Sequence, residues 1–151
     1  MATWQCGFLV VPRGLATGRT VSWHAEPAEV RYDGGTLTAL RKAADETLGR
    51  SRGWSSEVEM WGQDASTCMH MVHEGEDVVE IYLRVDVRSP GEENLRALLQ
   101  AMSRMDLVLV GDDEKIWEPT PESLHVALVQ SSASAFVGDP EGYLSSRRGS
   151  D

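Results

Sequence analysis

From Val78 to Arg88, apolar Val79, Ile81, Leu83, Val85 and Val87 alternate with Glu80, Tyr82, Arg84, Asp86 and Arg88. A period of two predicts a long strand with one face on a core and the other toward solvent or a partner. The same pattern runs from Trp4 to Val11, with Trp4, Cys6, Phe8 and Val10 in one phase, and again over Glu57 to Trp61 and Thr67 to Val72. Leu107 to Val110 is a short continuous apolar run, and Lys115 to Trp117 a last extended piece after the turn Gly111-Asp112-Asp113-Glu114.

Helical spacing begins at Thr36, where Leu37, Leu40, Ala44 and Leu48 fall on one stripe, with Thr36 as cap and Gly49 as stop. Ser89-Pro90-Gly91-Glu92 spells a capping box with proline at the first helical position. Leu95, Leu98, Leu99 and Met102 then form the stripe of a second helix that ends near Arg104. Thr120-Pro121 opens a third helix, with Leu124, Ala127, Leu128 and Ala135 inward, and Asp139-Pro140 starts a short last turn carrying Tyr143 and Leu144. Residues 12 to 35 carry the least signal, only short extended pieces such as Val21 to Trp23.

The element order is strand, helix, three strands, helix, two strands, helix. Close hairpins favour antiparallel pairing over a doubly wound sheet. The expected fold is α+β: a two-layer sandwich with a mostly antiparallel five- or six-stranded sheet, helices on one face, loosely ferredoxin-like. It forms a single domain over residues 1–144 with a frayed tail over 145–151. The chain of 151 residues supports one well-buried core.

The turn Glu74-Gly75-Glu76-Asp77 sets a register that can be counted. If Glu74 faces Asp77, then Val72 faces Val79, His70 faces Ile81 and Cys68 faces Leu83. Cys68 and His70 then point to the core, while Met69, Met71, Glu80 and Tyr82 lie outside, joined by Trp61 if Val58 and Met60 point inward. Trp61, Met69, Met71 and Tyr82, rimmed by Glu57, Glu59, Glu80, Arg84, Asp86 and Arg88, would form a partner-binding face with apolar anchors inside a charged border. A bulge that inverts the hairpin phase, or a cover from residues 12 to 35, would instead make the apolar groups ordinary core.

Charge sharpens this picture. The net charge is -10, and residues 57 to 93 hold ten carboxylates against Arg84 and Arg88, a local excess of eight. Residues 106 to 122 add six acids against Lys115, whereas residues 1 to 52 carry seven bases and five acids. Such a field repels nucleic acid and membrane surfaces and attracts basic proteins, although it also serves plain solubility. No run approaches a membrane span, Met1 to Gly14 lacks the pattern of a secretion signal, and two cysteines fit reduced core thiols. The cytoplasm is the expected compartment.

Candidate chemistry is sparse. Cys68, His70 and His73 form C-x-H-x-x-H beside Glu74, but His73 falls out of phase and a fourth ligand would have to come from His24 or Cys6. The spacing matches no common zinc pattern, so a buried histidine and a free thiol are expected, with no metal and no cofactor. His24, Glu26, Asp33 and His125 are scattered, and Ser131-Ser132-Ala133-Ser134 lies at a helix end rather than in a nucleophile elbow. Asp33-Gly34-Gly35-Thr36 lacks the lysine and glycine spacing of a phosphate loop and reads as a turn with a cap. Arg84, Arg88, Asp86 and Glu80 read as a ladder of ion pairs along the strand. No catalytic residue is expected.

The stretches Val79-Glu80-Ile81-Tyr82-Leu83-Arg84-Val85-Asp86-Val87-Arg88 and Ser134-Ala135-Phe136-Val137-Gly138-Asp139-Pro140-Glu141-Gly142-Tyr143-Leu144 resemble a pattern of small bacterial proteins. More loosely they resemble acidic α+β immunity proteins that neutralise toxins of competing bacteria. The resemblance implies a non-enzymatic protein-binding module, an inhibitor of a basic toxin or nuclease, with no shared catalytic residues. The competing expectation is a small enzyme or ligand-binding domain with a pocket near His24 or His70. A homodimer through the same sheet face is a third.

Overall fold

The computed structural model describes residues 1–18 and 30–148. Among these, seven strands form one antiparallel sheet: β1 (Gln5–Pro12), β2 (Arg50–Ser51), β3 (Val58–Gly62), β4 (Cys68–Glu74), β5 (Asp77–Asp86), β6 (Leu107–Gly111) and β7 (Ile116–Trp117). Their order is β2-β3-β4-β5-β1-β6-β7, so the long alternating strand lies at the centre. The strand beyond the six expected, β2, has two residues and is too short to show any period in the sequence. Six helices accompany the sheet: α1 (Arg13–Gly18), α2 (Gly34–Thr47), α3 (Arg96–Arg104), α4 (Pro121–Val129), α5 (Ser132–Gly138) and α6 (Pro140–Arg148). The last continues beyond the expected fraying point. Val21 to Trp23, His24 and Glu26 lie outside the described residues.

Local chemistry explains most helix ends. Asp33, not Thr36, caps α2, its carboxylate accepting the Thr36 amide at 2.7 Å. Thr120 caps α4 through the Ser123 amide at 3.1 Å, with Pro121 at the first position. The capping box at Ser89 does not form. Gly91 adopts φ 55, which breaks the helical path, and the chain enters α3 through a 3-10 turn over Glu92–Leu95 instead. Ala135 faces solvent because a new helix, capped by Ser131, starts before it and buries Ala133.

One face of the sheet carries the main core. Phe8, Val10, Trp61, Met69, Met71, Ile81, Leu83, Val85, Leu107 and Leu109 meet Leu40 and Ala44 of α2, Leu98, Leu99 and Met102 of α3, and Leu124 and Leu128 of α4. The other face holds a smaller cluster of Leu9, Val11, Val108 and Val110 under Ala16 of α1, with Tyr82 at its edge. Helices therefore cover both faces rather than the expected one.

The β4–β5 register overturns the expected hairpin phase. Glu74 faces Asp77 and His73 faces Val78, but Val72 then faces Glu80, Met71 faces Ile81 and Met69 faces Leu83. The extra residue is Val79, a bulge one step inside the turn. Before it Val78 points to the core, and after it Ile81, Leu83 and Val85 do, so the β4 partners counted from the turn are off by one for every rung beyond. Trp61, Met69 and Met71 are each 0% exposed and belong to the main core. The Trp61 indole donates to Asp45 of α2 at 2.7 Å.

Truncation of Trp61 to alanine is expected to cost about 3–5 kcal/mol in urea unfolding, as for other buried aromatics. Deletion of Val79 removes the bulge yet keeps Val78 and Ile81 inward, so the variant is expected to unfold cooperatively within about 2 kcal/mol of the parent. Deletion of Tyr82 shifts Leu83 and Val85 out of the core and is expected to abolish cooperative unfolding. The same unfolding curves check all three.

Candidate functional site

Several residues of the expected docking face are engaged inside the molecule. Glu59 accepts from Arg41 of α2 at 2.7 Å, Arg50 of β2 at 3.0 Å and lies 2.6 Å from His73 Nε2. Burial works to raise its carboxyl, but Arg41, His73 and Arg50 outweigh that and hold it below its ordinary value of 4.5. Asp86 is buried beneath Arg88, which donates from its guanidinium at 2.7 Å and its amide at 2.9 Å, and these bonds hold the Asp86 carboxyl low. Arg88 also stacks 4.2 Å over Trp4. Glu80 accepts from the Tyr82 hydroxyl at 2.8 Å, and Arg84 reaches Asp64 at 3.4 Å, so of the expected ladder of Glu80, Arg84, Asp86 and Arg88 the Asp86–Arg88 pair forms while Glu80 and Arg84 turn to other partners.

Glu57 remains exposed at the turn end of the sheet, close to the exposed Glu74, Glu76 and Asp77. The Glu57 carbonyl accepts the His73 amide at 2.7 Å, which fixes the two chain segments side by side. No ion pair to these four carboxylates is present among the described residues.

The bulge also places Cys68 and His70 away from the main core, on the opposite sheet face. Across that face Met60, His70, Tyr82, Leu9 and Val110 lie in one row, while Gly62, Cys68, Arg84 and Gly7 form the next. Gly62 (φ 81) sits where an added Cβ would lie 2.3 Å from the Thr67 carbonyl oxygen, so the reversal after β3 requires glycine. The loop that follows is clamped: Gln5 Nε2 donates to the Asp64 carbonyl at 2.8 Å, the Trp4 indole to the Ala65 carbonyl at 2.9 Å, and the Asp86 amide to Thr67 Oγ1 at 3.1 Å. These bonds hold the loop that carries Asp64 beside the buried Cys68 and His70.

Gly53 performs a related service on the other side. A Cβ there would meet the Val58 carbonyl oxygen at 2.0 Å, and the close turn brings Trp54 edge-on to His70 with ring centroids 4.6 Å apart. The His70 side chain is 1% exposed, and its Nε2 is buried without a hydrogen-bond partner among the described residues, 3.9 Å from Asp64 Oδ1. Burial, followed by the charge of Arg84, pushes the imidazole down to about 4 from 6.5, against a smaller opposing pull from Asp64. Burial pushes the Cys68 thiol up to about 11. One ligand atom from each of Asp64, Cys68 and His70 falls within 4.8 Å of the others. Sequence spacing singled out Cys68 and His70 but not Asp64, whose side chain belongs to a loop that only the tertiary clamp directs.

The remaining candidates do not assemble. Asp33 caps α2, Ser131 caps α5, and His125 on α4 pairs with Glu92 at 2.9 Å. Cys6 and Cys68 are both free and point from opposite sheet faces. A cleft of about 280 Å³ lies between the N-terminus, α5 and α6, lined by Cys6, Ser131, Tyr143 and Arg147 among others. Burial and then Asp112 push the Cys6 thiol up to about 12, which holds it protonated and unreactive at neutral pH.

Between pH 6.5 and about 4 the unfolded chain binds a proton that folded His70 refuses, so stability present above 6.5 is lost as pH falls through that window. His70 ring resonances are expected to stay those of a neutral imidazole down to about pH 5 in an NMR titration, and the acid loss of unfolding free energy is expected to flatten in H70Q. No family model, curated protein or solved structure matches this chain.

Proposed function

We propose that this protein is a non-enzymatic acidic binding module that docks a basic protein, an inhibitor of the immunity type acting on a basic toxin or nuclease. The observation that carries this reading is the exposed group of Glu57, Glu74, Glu76 and Asp77 at one end of the sheet, within a chain of net charge -10. Glu59, Asp64 and Asp86, by contrast, are engaged by Arg41, Arg50, Arg84 and Arg88. These four have no such partner among the described residues and project a concentrated negative field. The hairpin that carries Glu74, Glu76 and Asp77 is anchored by the central strand, and the Glu57 carbonyl is bonded to the His73 amide, so ordering on binding costs little. Opposite charge would speed encounter and set orientation. Trp61, Met69 and Met71 take no part, since all three are sealed beneath α2 and α3.

The test compares the parent with the combined variant E57Q/E74Q/E76Q/D77N, immobilised and exposed to lysate of the source cell at low and high salt. The parent is expected to retain a basic protein at low salt, release it at high salt, and lose it in the variant by at least about tenfold in affinity, about 1.4 kcal/mol. Equal retention by parent and variant, or retention of no basic protein, would overturn the reading. Unfolding midpoints within about 0.5 kcal/mol show that the surface exchange leaves the fold intact.

A further inference from the structure

His70 Nε2 poses the sharpest unanswered demand in the structure. A buried nitrogen without a partner costs free energy unless something meets it. Three facts converge on what could. An imidazole nitrogen that carries no proton presents a lone pair, the form in which histidine binds a metal ion. Cys68, two residues earlier on the same strand, turns its sulfur to the same side, with Gly62 beside it contributing no side chain. Asp64 approaches both from a loop held by Gln5 and Trp4, and its side chain is 66% exposed, so the group meets solvent at its Asp64 end while Cys68 and His70 are buried.

We propose that Asp64, Cys68 and His70 are the protein ligands of a divalent zinc site. The donor set is one sulfur, one imidazole nitrogen and one carboxylate oxygen, a mixture that suits borderline-soft Zn(II) and not the hard cations that take oxygen alone. Tetrahedral zinc bonded at about 2.0–2.3 Å holds its ligand atoms roughly 3.3–3.8 Å apart. The Asp64–His70 separation of 3.9 Å is already near that range, and the group as a whole spans 4.8 Å. Closure needs the widest pair of ligand atoms to approach by about an ångström.

Three protein ligands leave the fourth position for water. Binding displaces one proton from the Cys68 thiol to solvent, and the thiolate and the Asp64 carboxylate together neutralise the cation. Arg84 opposes ligation, because its Nη1 lies 3.4 Å from the same Asp64 oxygen and must give up that contact. The site stands at the loop end of β4, away from the acidic turn end, so it is independent of the docking reading.

The test is titration of the reduced, chelator-treated full chain with Co(II) as a spectroscopic probe and with Zn(II) in competition with a chromogenic chelator. One equivalent of Co(II) is expected to give the near-ultraviolet thiolate charge-transfer band and visible bands of a four-coordinate ion. C6S should keep that spectrum, C68S should lose it, D64N should weaken Zn(II) affinity by at least about tenfold, and R84Q should strengthen it. Absence of the charge-transfer band in the parent, its survival in C68S, its loss in C6S, or an unchanged D64N affinity would overturn the site. Where a variant fails to fold, the parent still decides: Zn(II) is expected to shift the His70 imidazole nitrogen resonance, and an unshifted resonance means that His70 is met only by solvent.

Discussion

One extra residue in β5 determines which side of this protein is inside. Val79 is unmatched across the β4–β5 ladder, and beyond it every β4 side chain belongs to the face opposite the one a turn-based count assigns. Because β5 is central and β4 pairs with β3, the consequence spreads outward: Met69 and Met71 turn to the helices, Trp61 follows, and His70, Cys68 and Met60 turn away. The apolar ledger decides the outcome. Two methionines and a tryptophan left in water would forfeit several kcal/mol, far more than one disrupted rung costs.

The face that receives Cys68 and His70 is buried by polar means. Gln5, Trp4 and Thr67 spend their hydrogen-bonding groups on the β3–β4 loop, and Gly62 and Gly53 permit backbone approaches that any side chain would block. The cover over the histidine is thus a rigid clamp on one side and a single indole edge on the other. Among the described residues, His70 Nε2 is the one buried side-chain nitrogen or oxygen without a partner, so the exception is specific to one atom rather than a sign of loose packing.

Much of the architecture was legible in the chain. Alternation located β1, β3, β4 and β5, helical spacing located α2, α3 and α4, and Thr120-Pro121 marked a helix start that forms as written. What escaped had physical causes. A two-residue strand such as Arg50–Ser51 has no period to detect. Gly91 in the left-handed region defeated a capping box whose residues were all in place. The bulge escaped because Val78 and Val79 are the same residue type, and hydropathy cannot say which of two adjacent valines points inward. That single ambiguity misplaced Trp61, Met69 and Met71, and it hid the juxtaposition of Asp64 with Cys68 and His70, which needs both the inverted phase and a loop clamp formed by residues some sixty positions away.

The acidic end and the Cys68–His70 group are the two ends of one strand, and their separation keeps their electrostatics distinct. Cys68 and Glu74 are six residues apart in β4, about 20 Å at the rise of an extended chain. That exceeds the screening length of about 8 Å at physiological ionic strength. The carboxylates at the turn therefore contribute little to the potential at His70, where Arg84 and Asp64 dominate. A positive partner seated on Glu57, Glu74, Glu76 and Asp77 would leave the charge balance at the other end nearly untouched. Conversely, a cation held there would be neutralised locally by Asp64 and the Cys68 thiolate, leaving the negative field of the turn end intact. What couples the two ends is mechanical: both are positioned by β4, and the bulge at Val79 sets the facing of everything between them.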